Sequence, residues 1–230
     1  MSEVVVEVGQ RPIREVHNDI QAACATGKPI VVRKTLSRHN LGVGLPPGVD
    51  IRFEGSVGYY CGGLNTGARI TIERNAGWGT GEAQAKGDIT VGGYAGMSVG
   101  AAMLGGIIHV KGDCGPRCGV AMKGGTIIVE GKLGYQSGFM AHAGKIIALS
   151  GAGPSCADAL WQGQVWVAGP IESLGVDAKI VEPSPEEVAE VEGILAARGL
   201  ADRRRDWKKL ISAQRLWYFQ SRDANAWLMI

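Results

Sequence analysis

No run of about 20 consecutive apolar residues occurs in this 230-residue sequence, so a conventional membrane-spanning helix is not expected. Met1–Gly9 also lacks the basic stretch and apolar core of a secretory leader. The expectation is a soluble, cytoplasmic protein with no membrane partner. Charge of one sign is lacking too: 24 Lys and Arg against 22 Asp and Glu leave a formal charge of +2. The overall balance therefore calls for neither nucleic acid nor a strongly acidic substrate. Five cysteines, an odd number in a chain too large for a disulfide-stapled mini-domain, point to reduced thiols.

Catalytic signatures are missing as well. There is no H-E-x-x-H or Walker sequence, and Ser2 after Met1 offers no N-terminal cysteine nucleophile. Cys114 and Cys118 form a C-x3-C pair without the second pair or histidine that a tetrahedral metal site needs. His17, His39, His109 and His142 are scattered and read as structural. Glu54, Glu73, Asp88, Asp113 and Glu130 fall at strand ends or bends, where solvation accounts for them. No catalytic, cofactor-binding or metal-binding residue is expected in this chain.

Glycine, by contrast, is abundant at 36 residues, and it is periodic. Gly58, Gly77, Gly96, Gly115, Gly134 and Gly153 recur every 19 residues. Four places after each stand Gly62, Gly81, Gly100, Gly119, Gly138 and then Ala157. Further along each copy come the apolar columns Ile70, Ile89, Ile108, Ile127, Ile146, Val165 and Ile72, Val91, Val110, Val129, Ala148, Val167. Their two-residue alternation predicts one short strand per copy. A unit this short cannot hold a βαβ crossover but suits one coil of a solenoid. The predicted core is thus a single-stranded, right-handed parallel β-helix, with six coils stacked over roughly 29 Å at about 4.8 Å per coil. The glycines are read as a structural lattice rather than a phosphate cradle, because they recur in phase and no Lys-Ser/Thr follows Gly77-Trp78-Gly79. Cys61, Cys118 and Cys156 share one phase but lie two and three coils apart, too far to share a metal.

The expected boundaries are 1–49 for an α/β N-terminal cap, 50–182 for the β-helix, and 183–230 for a helical docking arm. Val4–Val8 and Ile30–Arg33 read as strands around a helix near Arg14–Ala25, with Leu41–Pro47 a loop. Ser184-Pro185-Glu186-Glu187 is a helix start, followed by the stripe Val188, Val191, Ile194 and Leu195 and a stop at Gly199. A second helix is predicted over Asp202–Phe219. This last segment is basic and aromatic, and three of the six tryptophans lie in the final 24 residues. Trp207, Arg215, Trp217, Tyr218, Phe219 and Trp227 are its candidate docking residues. Such a tail could dock on another subunit, fold back on its own rod, or bind nucleic acid; no nucleic-acid partner is expected.

The unit G-x-x-G-x-x-x-G, present as Gly55-Gly58-Gly62, Gly93-Gly96-Gly100, Gly112-Gly115-Gly119 and Gly131-Gly134-Gly138, resembles the GXGXG β-helix family. That family includes the C-terminal domain of glutamate synthase and the β-helix subunit of formylmethanofuran dehydrogenase. Arg74, Ser150 and Ala157 depart from the glycine pattern and suggest less regular second and last coils. Chain length and the tail Ile211-Ser212-Ala213-Gln214-Arg215-Leu216-Trp217-Tyr218-Phe219 resemble the small β-helix subunit family of N-methylglutamate synthases. This resemblance implies a non-catalytic scaffold bridging an amidotransferase-like subunit and an FMN-binding synthase subunit. FMN, together with any iron–sulfur clusters, would reside in the partner. The implied reaction makes N-methylglutamate and ammonia from glutamate and methylamine. Ordinary glutamate synthase, a formylmethanofuran dehydrogenase or formyltransferase complex, and a stand-alone binding module are the alternatives.

Overall fold

The computed structural model describes residues 2–201 and 205–214. In chain order, β1 (Val4–Glu7), α1 (Ile13–Cys24) and β2 (Ile30–Arg33) lead into β3 (Asp50–Phe53), β4 (Thr66–Ile72), β5 (Lys86–Val91), β6 (Ile107–Val110) and β7 (Lys123–Val129). Then come β8 (Lys132–Leu133), β9 (Ala143–Ala148), β10 (Gly151–Ala152), β11 (Gln164–Val167), β12 (Ala178–Val181), α2 (Pro185–Ala196) and β13 (Lys208–Ser212). The main sheet runs β1-β2-β3-β4-β5-β6-β7-β9-β11-β13-β12, and each pair from β1 through β11 is parallel. The chain is a parallel β-solenoid.

Its core is the isoleucine column. Ile30, Ile51, Ile70, Ile89, Ile108, Ile127, Ile146 and Val165 are direct partners on successive strands, each at most 1% exposed. Burying one such side chain stabilises the fold by about 1.5–3 kcal/mol. The interior has no room opposite this column. A Cβ added at Gly81 would sit 2.5 Å from Ile108 Cδ1, and the residue has φ +68°. The other glycine column has a different cause: at Gly77 an added Cβ would sit 2.5 Å from the Gly58 carbonyl carbon of the coil below. One column makes the turn; the other lets backbones approach. Ala157 keeps φ 63°, so the expected irregularity of the last coil is not found at this position.

Two expectations are revised. The solenoid begins a coil earlier than the glycine pattern indicates. Residues 34–49 stack on the coil above through Asn40 N–H to Tyr59 O (2.8 Å) and Gly44 N–H to Gly63 O (2.8 Å). Asn40, Gly42 and Gly44 repeat the left-handed positions of Tyr60, Gly62 and Leu64. The supposed loop at Leu41–Pro47 is therefore part of a coil, and β1 extends the same sheet with α1 packed beside it through Val16, Ile20 and Ala23.

The second revision concerns the predicted helix over Asp202–Phe219, which fails at β13. This strand pairs antiparallel with both β11 and β12, placing Leu210 between Val165 and Ile180. Ser212 at one end and Leu210 in the middle are buried, and the last parallel strand finds its partner here instead of an open edge. The helix α2 forms as expected: Ser184 and Glu187 make a reciprocal capping box with Pro185 in the first turn.

Candidate docking faces

Each coil presents two exposed sides. On the outer side of the main sheet, one register column reads Arg52, Thr71, Thr90, His109, Ile128, Ile147, Trp166 and Lys209. It changes from polar to apolar where α2 covers it. Val191 and Leu195 of α2 pack on Ile128, Ile147 and Trp166, with Trp207 closing the cluster. Trp207 stands edge-on to Trp166, ring centroids 6.1 Å apart at 81°, and its Nε1 donates to Glu192 Oε1 at 2.7 Å. Arg205 pairs with the same carboxylate, and Lys209 with Glu187.

Trp207, one of the expected docking residues, is packed against its own chain and only 6% exposed. Arg215, Trp217, Tyr218, Phe219 and Trp227 lie outside the described residues.

The polar end of this side is an ion-pair ladder. Arg52 meets Glu73 at 2.6 Å, Glu54 at 3.1 Å and Glu3 at 3.8 Å. Where the two halves join, His109 Nε2 lies 2.9 Å from Glu130 Oε1, and Arg198, just beyond α2, pairs with Asp88 through two nitrogens. Burial holds the His109 imidazole below its usual range; the Glu130 hydrogen bond opposes this, while the Arg198 and Lys111 cations add to it.

The second exposed side follows the lattice glycines. The first place after them holds Tyr59, Trp78, Met97, Pro116, Tyr135 and Pro154. His39 stacks on Tyr59 at 4.3 Å, and Tyr59 on Trp78 at 4.8 Å with ring planes 6° apart. Tyr59, Trp78 and Tyr135 are 44%, 51% and 47% exposed. The sixth place holds Leu64, Ala83, Ala102, Ala121, Met140 and Ala159, all with positive φ. Between them the third and fourth places point inward, as Cys61, Cys118 and Cys156 show. This is a long apolar stripe of the kind that marks a protein-interaction surface. The sequence signal was present at the residue following each lattice glycine, but a column read only for its glycines hides the rings beside it.

The interior thiols are not a reactive site. Burial raises the Cys61 thiol and pushes Cys156 up to about 12, while the hydrogen bond with Cys114, then burial, raises Cys118. Among the described residues no cluster of three or more His, Cys, Asp or Glu side chains is placed to hold a metal ion, and no described helix is long and apolar enough to cross a membrane.

No protein-family model and no curated protein matches the chain. Its surfaces and its lattice carry the functional reading.

Proposed function

We propose that this chain is the non-catalytic scaffold subunit of a glutamate-synthase-like complex, with N-methylglutamate synthase the preferred identity. In that role it bridges an amidotransferase-like subunit and an FMN-binding synthase subunit, which carries the flavin and any iron–sulfur clusters. The observation that supports this reading most is the glycine lattice. The pattern behind the resemblance to GXGXG domains occurs here as stacked coils, with Gly77 against the Gly58 backbone and Gly81 against Ile108.

A rod of this kind suits the task because its backbone is tied at every coil, so subunits bound along it keep a fixed separation. It also offers surfaces of different chemistry: the Arg52–Glu73 ion-pair ladder and the apolar stripe through Tyr59 and Trp78. Coupled active sites gain from such fixed geometry, since a released amine need not search for the second site.

Reconstitution tests the role. With glutamate and methylamine as substrates, omission of this chain is expected to reduce coupled N-methylglutamate formation at least about tenfold. The separate subunits should retain flavin binding and partial reactions. An unchanged coupled rate without the chain would count against the bridge.

A further inference from the structure

At the corner that follows each main-sheet strand, two successive N–H groups of a coil are held by the coil below. The first bonds a carbonyl: Gly93 to Arg74 O at 3.0 Å, Gly112 to Gly93 O at 3.0 Å, Gly131 to Gly112 O at 3.1 Å and Ser150 to Gly131 O at 3.3 Å. The second bonds a side-chain oxygen in several coils, as Tyr94 N–H does with Asn75 Oδ1 at 2.9 Å and Lys132 N–H with Asp113 Oδ1 at 2.7 Å.

Arg74 occupies the first of these places, where the coils above carry Gly93, Gly112 and Gly131. There is little room for a side chain there. A Cβ added at Gly112 would lie 2.9 Å from the Gly93 carbonyl carbon, and one at Gly131 2.7 Å from the Gly112 carbonyl carbon. Ser150 keeps its bond, the longest of the series, whereas Arg74 N–H makes none to Gly55 O. The N–H groups of Gly55 and Ser56 likewise meet no acceptor among the described residues.

These two coils and the segment before them line a cleft of about 400 Å³. Lys34, Leu36 and Ser37, on its far wall, have φ of 52°, 47° and 53°. Such strained residues cluster at ligand clamps, and open N–H groups gathered in left-handed turns form concavities that suit anions. The charges around the cleft point the same way. Its two carboxylates, Glu54 and Glu73, meet Arg52 at 3.1 and 2.6 Å, and Glu54 also meets Arg33 at 3.0 Å. Lys34 meets Glu7 at 2.8 Å. Arg74 is the cation left over, with no acid at ion-pair distance among the described residues.

We propose that this corner is an oxyanion site that holds a phosphate group between the coils of Gly55 and Arg74. The Arg74 guanidinium supplies the charge, and the open N–H groups of Gly55, Ser56 and Arg74 supply fixed donors. Ser56 Oγ already accepts from Asn75 N–H at 3.3 Å, so its own proton is free to donate. Donors from two coils and a hydroxyl exceed what the two oxygens of a planar carboxylate can use; a tetrahedral anion offers acceptors on every side. An arginine in a glycine column costs the rod one of its coil-to-coil bonds, and a local rule broken in this way marks a functional position. The site is independent of the enzyme complex proposed above.

Titration of the purified full chain, followed through its backbone amide NMR signals, tests the site. On addition of potassium phosphate, the signals of Gly55, Ser56 and Arg74 are expected to move together along a saturable curve. Potassium chloride at equal ionic strength should leave them in place. Arg74→Gly returns the residue found in the coils above, so the fold should persist, and phosphate affinity should fall at least about tenfold. Arg74→Gln, which removes the charge but keeps a side chain, should show the same loss. Glycerol phosphate, titrated alongside, separates the two sources of the ligand. Tighter binding of inorganic phosphate makes the free ion the ligand, and tighter binding of the ester makes it a phosphate carried on a larger molecule. Three results would each overturn the proposal: no saturation with either compound, equal shifts with chloride, or undiminished phosphate binding by the folded Arg74 variants.

Discussion

At the residue scale the fold rests on positions where a methyl group decides the outcome. Gly77 is one: its missing Cβ would fall 2.5–2.8 Å from the carbonyl carbon and oxygen of Gly58 and the amide nitrogen of Tyr59, all backbone. Gly77→Ala is expected to cost about 3 kcal/mol in chemical denaturation, since two coils must separate for one methyl. Leu36 presents the opposite case, an exposed non-glycine residue at φ 47°. Leu36→Gly should stabilise by about 0.5–1 kcal/mol, as relief of the left-handed strain outweighs the added chain entropy. The buried thiols give a further expectation. Folded Cys61, Cys118 and Cys156 keep their protons above the ordinary thiol value of 9.0. The folded state thus binds more protons than the unfolded chain in that range. Their contribution to stability is complete below pH 9 and is lost as pH rises toward about 12, the value for Cys156. Thermal melts from pH 8 to 11 should show this decline, and in native protein at pH 8 a thiol reagent should react at Cys24, the half-buried one, well before the other four.

At the element scale, what was legible in the sequence divides along the rod. The alternation Ile70-Thr71-Ile72 and Ile89-Thr90-Val91 reads as strands with one buried face, and the structure has them so. The runs Ile127-Ile128-Val129, Ile146-Ile147-Ala148 and Val165-Trp166-Val167 are apolar without a break, and every one of these residues is buried. Continuous runs of this kind signal a strand covered on both faces. They mark the shelf for α2 in the sequence itself, although the glycine columns beside them are the stronger periodic signal. The helix was legible through Ser184, Pro185 and Glu187 because capping is local chemistry. By contrast, β13 was not, since Lys208–Ser212 becomes a strand only because β11 and β12 offer unpaired edges far away in sequence. Likewise the coil at residues 34–49 lacks the 19-residue phase: Ile30 and Ile51 are 21 apart, though direct partners.

The docking of α2 can be tested directly. Leu195→Ala removes a fully buried contact and is expected to cost about 2–4 kcal/mol, with hydrogen exchange rising first in α2 and β13. At the joint, folded His109 is held below its usual value of 6.5 by burial. The unfolded chain binds the extra proton first, so this contribution is complete above pH 6.5 and is lost as pH falls below it. Glu130, Arg198, Asp88 and Lys111 are the charges around it. His109→Gln should flatten the slope of stability between pH 7 and 5.

At the scale of the whole molecule, the solenoid is a stack in which each coil contacts its neighbours, so surface columns run the length of the rod while the core remains one isoleucine ladder. Such a molecule separates holding the fold from meeting other molecules. Glycines and isoleucines do the first, and the rings of Tyr59, Trp78 and Tyr135 stand outside. The proposed bridging role uses this separation. Gentle purification of the chain from its native source, with a visible flavin spectrum and mass identification of whatever accompanies it, tests that role most directly. The account expects an FMN-containing synthase subunit and an amidotransferase-like subunit to elute with the chain in constant ratio. A colourless preparation, with the chain free of both subunits, would contradict it.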